Sequence, residues 1–115
     1  MIIPNLMVSD MARSFAFYRT GIGLDLVMAI SGDRQVLAQT DGSDAVFAIL
    51  SGAGGQLMLQ TVENLRAELP SLAATPGYTG TIYMRGIDPR PIAERLDTAQ
   101  IVKPIELQWY GMLEL

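Results

Sequence analysis

The chain has no cysteine and no histidine. Without thiols there is no disulfide framework, no zinc–thiolate site and no thiol nucleophile. Without imidazole, the commonest metal ligand and the usual general base near neutral pH are both missing. Positive charge is also scarce. Eight Lys and Arg against twelve Asp and Glu leave a net charge of −4, which disfavours nucleic-acid binding because that mode draws on phosphate neutralisation. No run reaches the roughly 18 uncharged apolar residues of a membrane span. The start, MIIPNLMVSD, has neither the basic region nor the separate apolar core of a signal peptide. The expectation is a cytoplasmic protein with no nucleic-acid and no membrane partner.

Half of the 115 residues are hydrophobic and 17% are charged, a composition that folds around a core rather than staying disordered. The length suits one domain. A positive mean hydropathy of +0.27 points to apolar surface buried against a second chain.

The stretch from Ile3 to Gly23 organises the chain. It reads as a short strand (Ile2 to Val8), an aspartate cap, an amphipathic helix from about Met11 to Thr20 and a glycine stop. The Asp10 carboxylate can accept the free N–H groups of the next turn and suits the positive end of the helix dipole. Met11, Phe15, Tyr18 and Ile22 recur at helical spacing and make one apolar face. Gly21 and Gly23 tolerate the positive φ at which helices end. Pro4 near the strand start favours an edge position.

Leu24, Leu26, Met28 and Ile30 alternate, the period of a half-buried strand. Ser31 to Ser43 reads as a loop in which Val36-Leu37-Ala38 either extends a hairpin or lies over a cavity. Ala45 to Leu50 and Gln56 to Thr61 read as strands around the turn Ser51-Gly52-Ala53-Gly54-Gly55. That glycine run lacks the spacing and the following helix of a phosphate-binding loop. Residues 62–76 form a linker with a short helix, carrying Glu63, Arg66 and Glu68, that Pro70 ends. Tyr78 to Gly86 is expected as a strand, and Asp88 caps a second helix with Pro89 at its first position. Ile92, Leu96 and Ala99 are expected on the inner face of that helix. Ile101 to Gln108 is expected as a strand interrupted at Pro104, and Gly111 to Leu115 as the start of another. The order is β-α-β-β-β, a linker, then β-α-β and the start of a further β, an internal duplication with Leu6 to Asp10 and Met84 to Asp88 in equivalent places. The fold class is therefore α+β, with module one over residues 1–61, the linker over 62–76 and module two over 77–115 of a single domain.

The runs Pro4 to Tyr18, Gly21-Ile22-Gly23-Leu24, Gln56-Leu57-Met58-Leu59-Gln60, Ile82 to Asp88 and Trp109-Tyr110-Gly111-Met112 resemble the vicinal oxygen chelate superfamily of glyoxalases, bleomycin-resistance proteins and extradiol dioxygenases. The resemblance covers nearly the whole chain in the correct order. It implies two βαβββ modules whose curved mixed sheets wall a ligand cavity, usually in a homodimer. The chain stops at Leu115, inside what the resemblance makes the seventh strand, so the second module is cut short. An exposed sheet edge left there would favour pairing with another chain.

Family enzymes hold a divalent metal on inner strand positions. The resemblance puts these at Ile3, at Thr81 and at Met58 or Gln60, with the last on a strand beyond the end of this chain. Such a set does not make a catalytic centre of about three protein ligands. The resemblance therefore implies the metal-free, bleomycin-resistance-like branch, which sequesters a ligand without catalysis or cofactor. Candidate wall residues are Phe47, Met58, Tyr83, Trp109 and Tyr110, suited to an aromatic or cationic ligand. Gln60 and Gln108 are candidate hydrogen-bonding groups, and Glu106 is a carboxylate that would draw a cation. For each of these, core or interface packing is the competing role. Asp10 and Asp88 are explained as caps, Arg13 as solvated and the seven methionines as core filler. Two other readings remain: a glyoxalase- or dioxygenase-type enzyme with metal held elsewhere, and an interaction subunit without a ligand.

Overall fold

The computed structural model describes residues 1–71, 75–77 and 80–115. It is α+β. The strands β1 (Asn5–Val8), β2 (Asp25–Ser31), β3 (Val36–Leu37), β4 (Ala45–Gly52) and β5 (Gly55–Thr61) form one mixed sheet in the order β1-β5-β4-β2-β3. Only β1 and β5 run parallel, with Leu6 opposite Leu59 and Met7 opposite Gln60. β1 lies at an edge, as Pro4 requires, and the Pro4 carbonyl accepts from Met58 N at 2.8 Å.

The helix α1 (Met11–Phe15) starts where Asp10 accepts the Arg13 N–H at 3.0 Å. It does not stop at Thr20. It widens into a π-helix over Ala16–Ile22 and ends at Gly23, whose φ is 95° and whose N–H reaches back five residues to the Tyr18 carbonyl. Gly21 is thus inside the helix, and its role is spatial. A Cβ there would lie 2.5 Å from Leu96 Cδ2, and Arg95 Nε donates to the Gly21 carbonyl at 2.9 Å. This contact docks the second half of the chain on the first.

Alternation along the strands separates the two sheet faces. Ala29, Ala48 and Leu59 stand in one cross-strand row; with Leu50 they are fully buried under Met11 and Phe15. The opposite face carries two other rows, Ile30–Phe47–Gln60–Met7 and Met28–Ile49–Met58–Asn5. The β4–β5 turn is a two-residue hairpin turn with Ala53 and Gly54 both at positive φ, the geometry that matches strand twist. Val36-Leu37 extends the β2 hairpin. The loop behind it crosses α1: Gly42, with φ at 94°, is seated against the backbone of Met11 and Ala12.

The helix α2 (Val62–Glu68) occupies the start of the expected linker, capped by Thr61 and ending before Pro70. The second half departs from the duplication. Tyr78 and Thr79 of the expected strand lie outside the described residues, and residues 80–86 form no strand. α3 (Pro89–Arg95) is capped by Asp88 as expected, but it ends at Leu96, whose backbone is extended, and Ala99 is exposed in a 3₁₀ turn, Thr98–Gln100. Of the expected strand 101–108 only β6 (Glu106–Leu107) forms. It pairs with β7 (Leu113–Glu114) in a separate two-stranded sheet. A strand needs a ladder partner to satisfy its backbone, and these segments pair with no strand of the first sheet. No helix among the described residues is long and apolar enough to cross a membrane.

Candidate ligand-binding cleft

Two of the expected wall residues, Phe47 and Met58, come together with the expected hydrogen-bonding residue Gln60. They stand on adjacent strands of the face opposite α1, because Phe47 pairs with Gln60, and Met58 precedes Gln60 by two residues. Between this face and α2 lies a cleft of about 560 Å³, closed at its sides by Ile30, Arg34, Leu65 and Glu68. Phe47, Met58 and Ile30 are half-buried, so the floor is apolar and only partly covered.

Gln60 differs from its neighbours. It is 4% exposed, and its amide is fully engaged inside the chain. Nε2 donates to Asn64 Oδ1 at 2.7 Å and to Glu68 Oε2 at 2.8 Å, while Oε1 accepts from Asn5 Nδ2 at 2.8 Å. One side chain thereby ties β1, β5 and α2 together. Its place is in holding the cleft walls, and its donors are not free for a ligand.

The residues present do not fit the divalent metal of the family enzymes. Ile3 has no donor atom, the Thr81 hydroxyl is a poor ligand when neutral, and the Gln60 carbonyl oxygen already accepts from Asn5. Among the described residues no group of three or more acidic side chains gathers.

The other expected site residues lie elsewhere. Glu106 and Gln108 do share a side of β6, and Gln108 Nε2 donates to Glu106 Oε2 at 3.3 Å. Glu106 is not a lone carboxylate, however. Lys103 Nζ sits 2.5 Å from it and holds its carboxyl below the usual range. Trp109 is 93% exposed at the tip of the β6–β7 turn, packed edge-on against Tyr110 at 5.2 Å. Tyr83 and Tyr110 converge on one carboxylate, Glu114. Both hydroxyls donate to its Oε1, at 2.9 and 2.6 Å. Tyr83 and Glu114 are 31 residues apart, beyond any periodicity that could have linked them.

The Tyr110 phenol is pushed up to about 12, first by its hydrogen bond to the Glu114 carboxylate, then by desolvation and by Coulomb repulsion of a phenolate. Tyr83 is raised for the same reasons. Below the ordinary phenol range near pH 10, Tyr110 is protonated in folded and unfolded chains alike, so its bond is fully present. It is lost as pH rises through about 12. In an absorbance titration of tyrosinate formation, Glu114→Gln is expected to bring the last phenol midpoint down towards 10. An unchanged curve would remove the Glu114 contact as its cause.

In comparisons with known proteins, no family model and no curated protein matches this chain.

Proposed function

We infer that this is a non-catalytic binding protein that sequesters a small, largely apolar or planar ligand on the open sheet face, acting as a homodimer. That is the manner of the bleomycin-resistance-like proteins it resembles. The observation that carries this reading is the pair of cross-strand rows built from Met, Ile and Phe. They are left half-covered beside α2. Apolar walls with a few fixed polar groups are the chemistry of ligand pockets rather than of proton transfer.

A second copy is supported by area. A compact monomer of 12.5 kDa exposes about 6,200 Å², whereas this chain exposes 7995 Å². The surplus, roughly 1,800 Å², is what each partner buries in a large obligate interface. The radius of gyration tells the same way, 15.2 Å against about 13 Å for a compact chain of this length.

Light scattering on the purified protein should return the mass of two chains. Calorimetric titration with metal-free bleomycin, and with a planar apolar dye as an independent probe, should show saturable binding. Phe47→Ala should weaken it about tenfold or more, the loss of one stacked aromatic wall. A monomer whose dye binding is indifferent to Phe47→Ala and Met58→Ala overturns the reading.

A further inference from the structure

A second cavity, of about 460 Å³, lies on the other side of the sheet. Its walls come from three places: Phe17, Tyr18 and Ile22 of the π-helix, Ile92 of α3, and the segment of Ile82 and Tyr83 that faces β7. The Gly21–Leu96 and Gly21–Arg95 contacts fix the first two walls relative to one another. Phe17 and Tyr18 present an edge-to-face pair with centroids 4.9 Å apart.

Among the described residues that line this space, Glu114 is the only one with a charged side chain. Its partners are unusual for a carboxylate. β6–β7 pairing sets Glu106 directly across from it, a like-charge pair that destabilises a ladder. Lys103 is drawn to Glu106, while Glu114 is held by two phenols, both on Oε1. Phenol hydrogen bonds orient a carboxylate but leave its charge in place. The cavity therefore offers aromatic faces and one aimed negative charge, whose nearest cation, Lys103, is ion-paired to Glu106 and feels Glu114 only through space.

We propose that the cavity between the π-helix, α3 and β7 is a second ligand site, which takes an alkylammonium or quaternary ammonium compound with an apolar body. The cation would meet Glu114 and the rings of Tyr83 and Tyr18, and the apolar body would run along Phe17, Ile22 and Ile92. Aromatic faces attract such weakly hydrated cations, and the carboxylate selects against neutral and anionic analogues of the same shape.

The test uses three probes of one chain length below their micelle concentrations: octyltrimethylammonium, octyl glucoside and octyl sulfate. Calorimetry measures affinity, and the fluorescence of Trp109, the sole tryptophan, which packs on Tyr110, reports events at Glu114. The expected result is a tenfold or greater preference for the ammonium probe. Glu114→Gln should abolish that preference, while Tyr83→Phe with Tyr110→Phe, which leaves the rings and the charge but frees the carboxylate, should reduce it in part. Equal binding of all three probes, or a preference that survives Glu114→Gln, overturns the proposal. Phe47→Ala lies on the opposite sheet face and should leave the ammonium preference intact. A preference lost with Phe47→Ala instead assigns the probe to the first cleft and also overturns it.

Discussion

Gly42→Ala is expected to lower the melting temperature by roughly 10–15 °C, a loss of about 3 kcal/mol. A Cβ at Gly42 would stand 2.9 Å from the Met11 carbonyl oxygen, 2.9 Å from Phe15 Cγ and 3.1 Å from Ala12 Cα. Two of the three are backbone atoms of α1, which cannot rotate away. The residue also sits at φ 94°, a conformation that costs an L-residue about 1–2 kcal/mol, and overpacking adds a further 1–3 kcal/mol or so. Gly54→Ala separates the two effects. Gly54 also has positive φ, at 77°, but nothing lies within 4 Å of its missing Cβ. It should lose only about 1 kcal/mol, since lower unfolded-state entropy offsets part of the strain. Equal losses at the two glycines would show that the loop lifts from α1 at little cost, contrary to the close seating described.

The second large effect is expected at Gln60. Gln60→Leu keeps the volume but removes three hydrogen bonds from a side chain that is 4% exposed. Asn5 loses its acceptor, and Asn64 and Glu68 lose their donor. Unsatisfied partners cost about 1–3 kcal/mol each when buried, but these three lie partly in water, so about 2–3 kcal/mol overall is the expectation. The loss should be local. Hydrogen exchange should quicken across α2 before it does in β4 and β5, because Gln60 is the polar tie between that helix and the sheet. A double-mutant cycle with Asn64→Ala should return a coupling of about 1 kcal/mol. Additive losses would mean that Gln60 and Asn64 do not act together.

The first sixty residues were largely legible because their signals are local. Asp10 caps by a short-range bond and the hairpin turn has its glycines in place, whereas in β2 the expected single face of Leu24, Leu26, Met28 and Ile30 is split by a bulge after Leu26, which leaves Leu24 and Leu26 on the α1 side and Met28 and Ile30 on the other. The π-helix was not legible. The apolar spacing of Met11, Phe15, Tyr18 and Ile22 fits an α-helix as well as a widened one, and the seating of Leu96 against Gly21 comes from far along the chain. The second half misled for a related reason. The pattern from Thr81 to Gly86 is strand-like, but a strand exists only with a partner, and partners are a property of the whole fold. Of the candidate site, the floor residues Phe47 and Met58 were named as strand side chains near the cavity that the resemblance implies. Gln60 as an internal tie and Glu114 as the focus of two tyrosines were not, since each depends on side chains brought together across long separations.

The parallel pairing of β1 with β5 has a kinetic consequence. β4 and β5 are joined by a two-residue turn and β2 lies one loop upstream, so these three can zip as successive hairpins on a timescale of microseconds. β1 precedes all of them in sequence, yet its ladder partner β5 is the last of the five to emerge during synthesis. Closing a loop of some fifty residues precedes any gain from that ladder, and such non-local closure slows folding. The N-terminal strand therefore waits, and until it docks, the β5 backbone and its apolar side chains form an open template. Early expression at high concentration is when this chain is most prone to pair with the wrong copy.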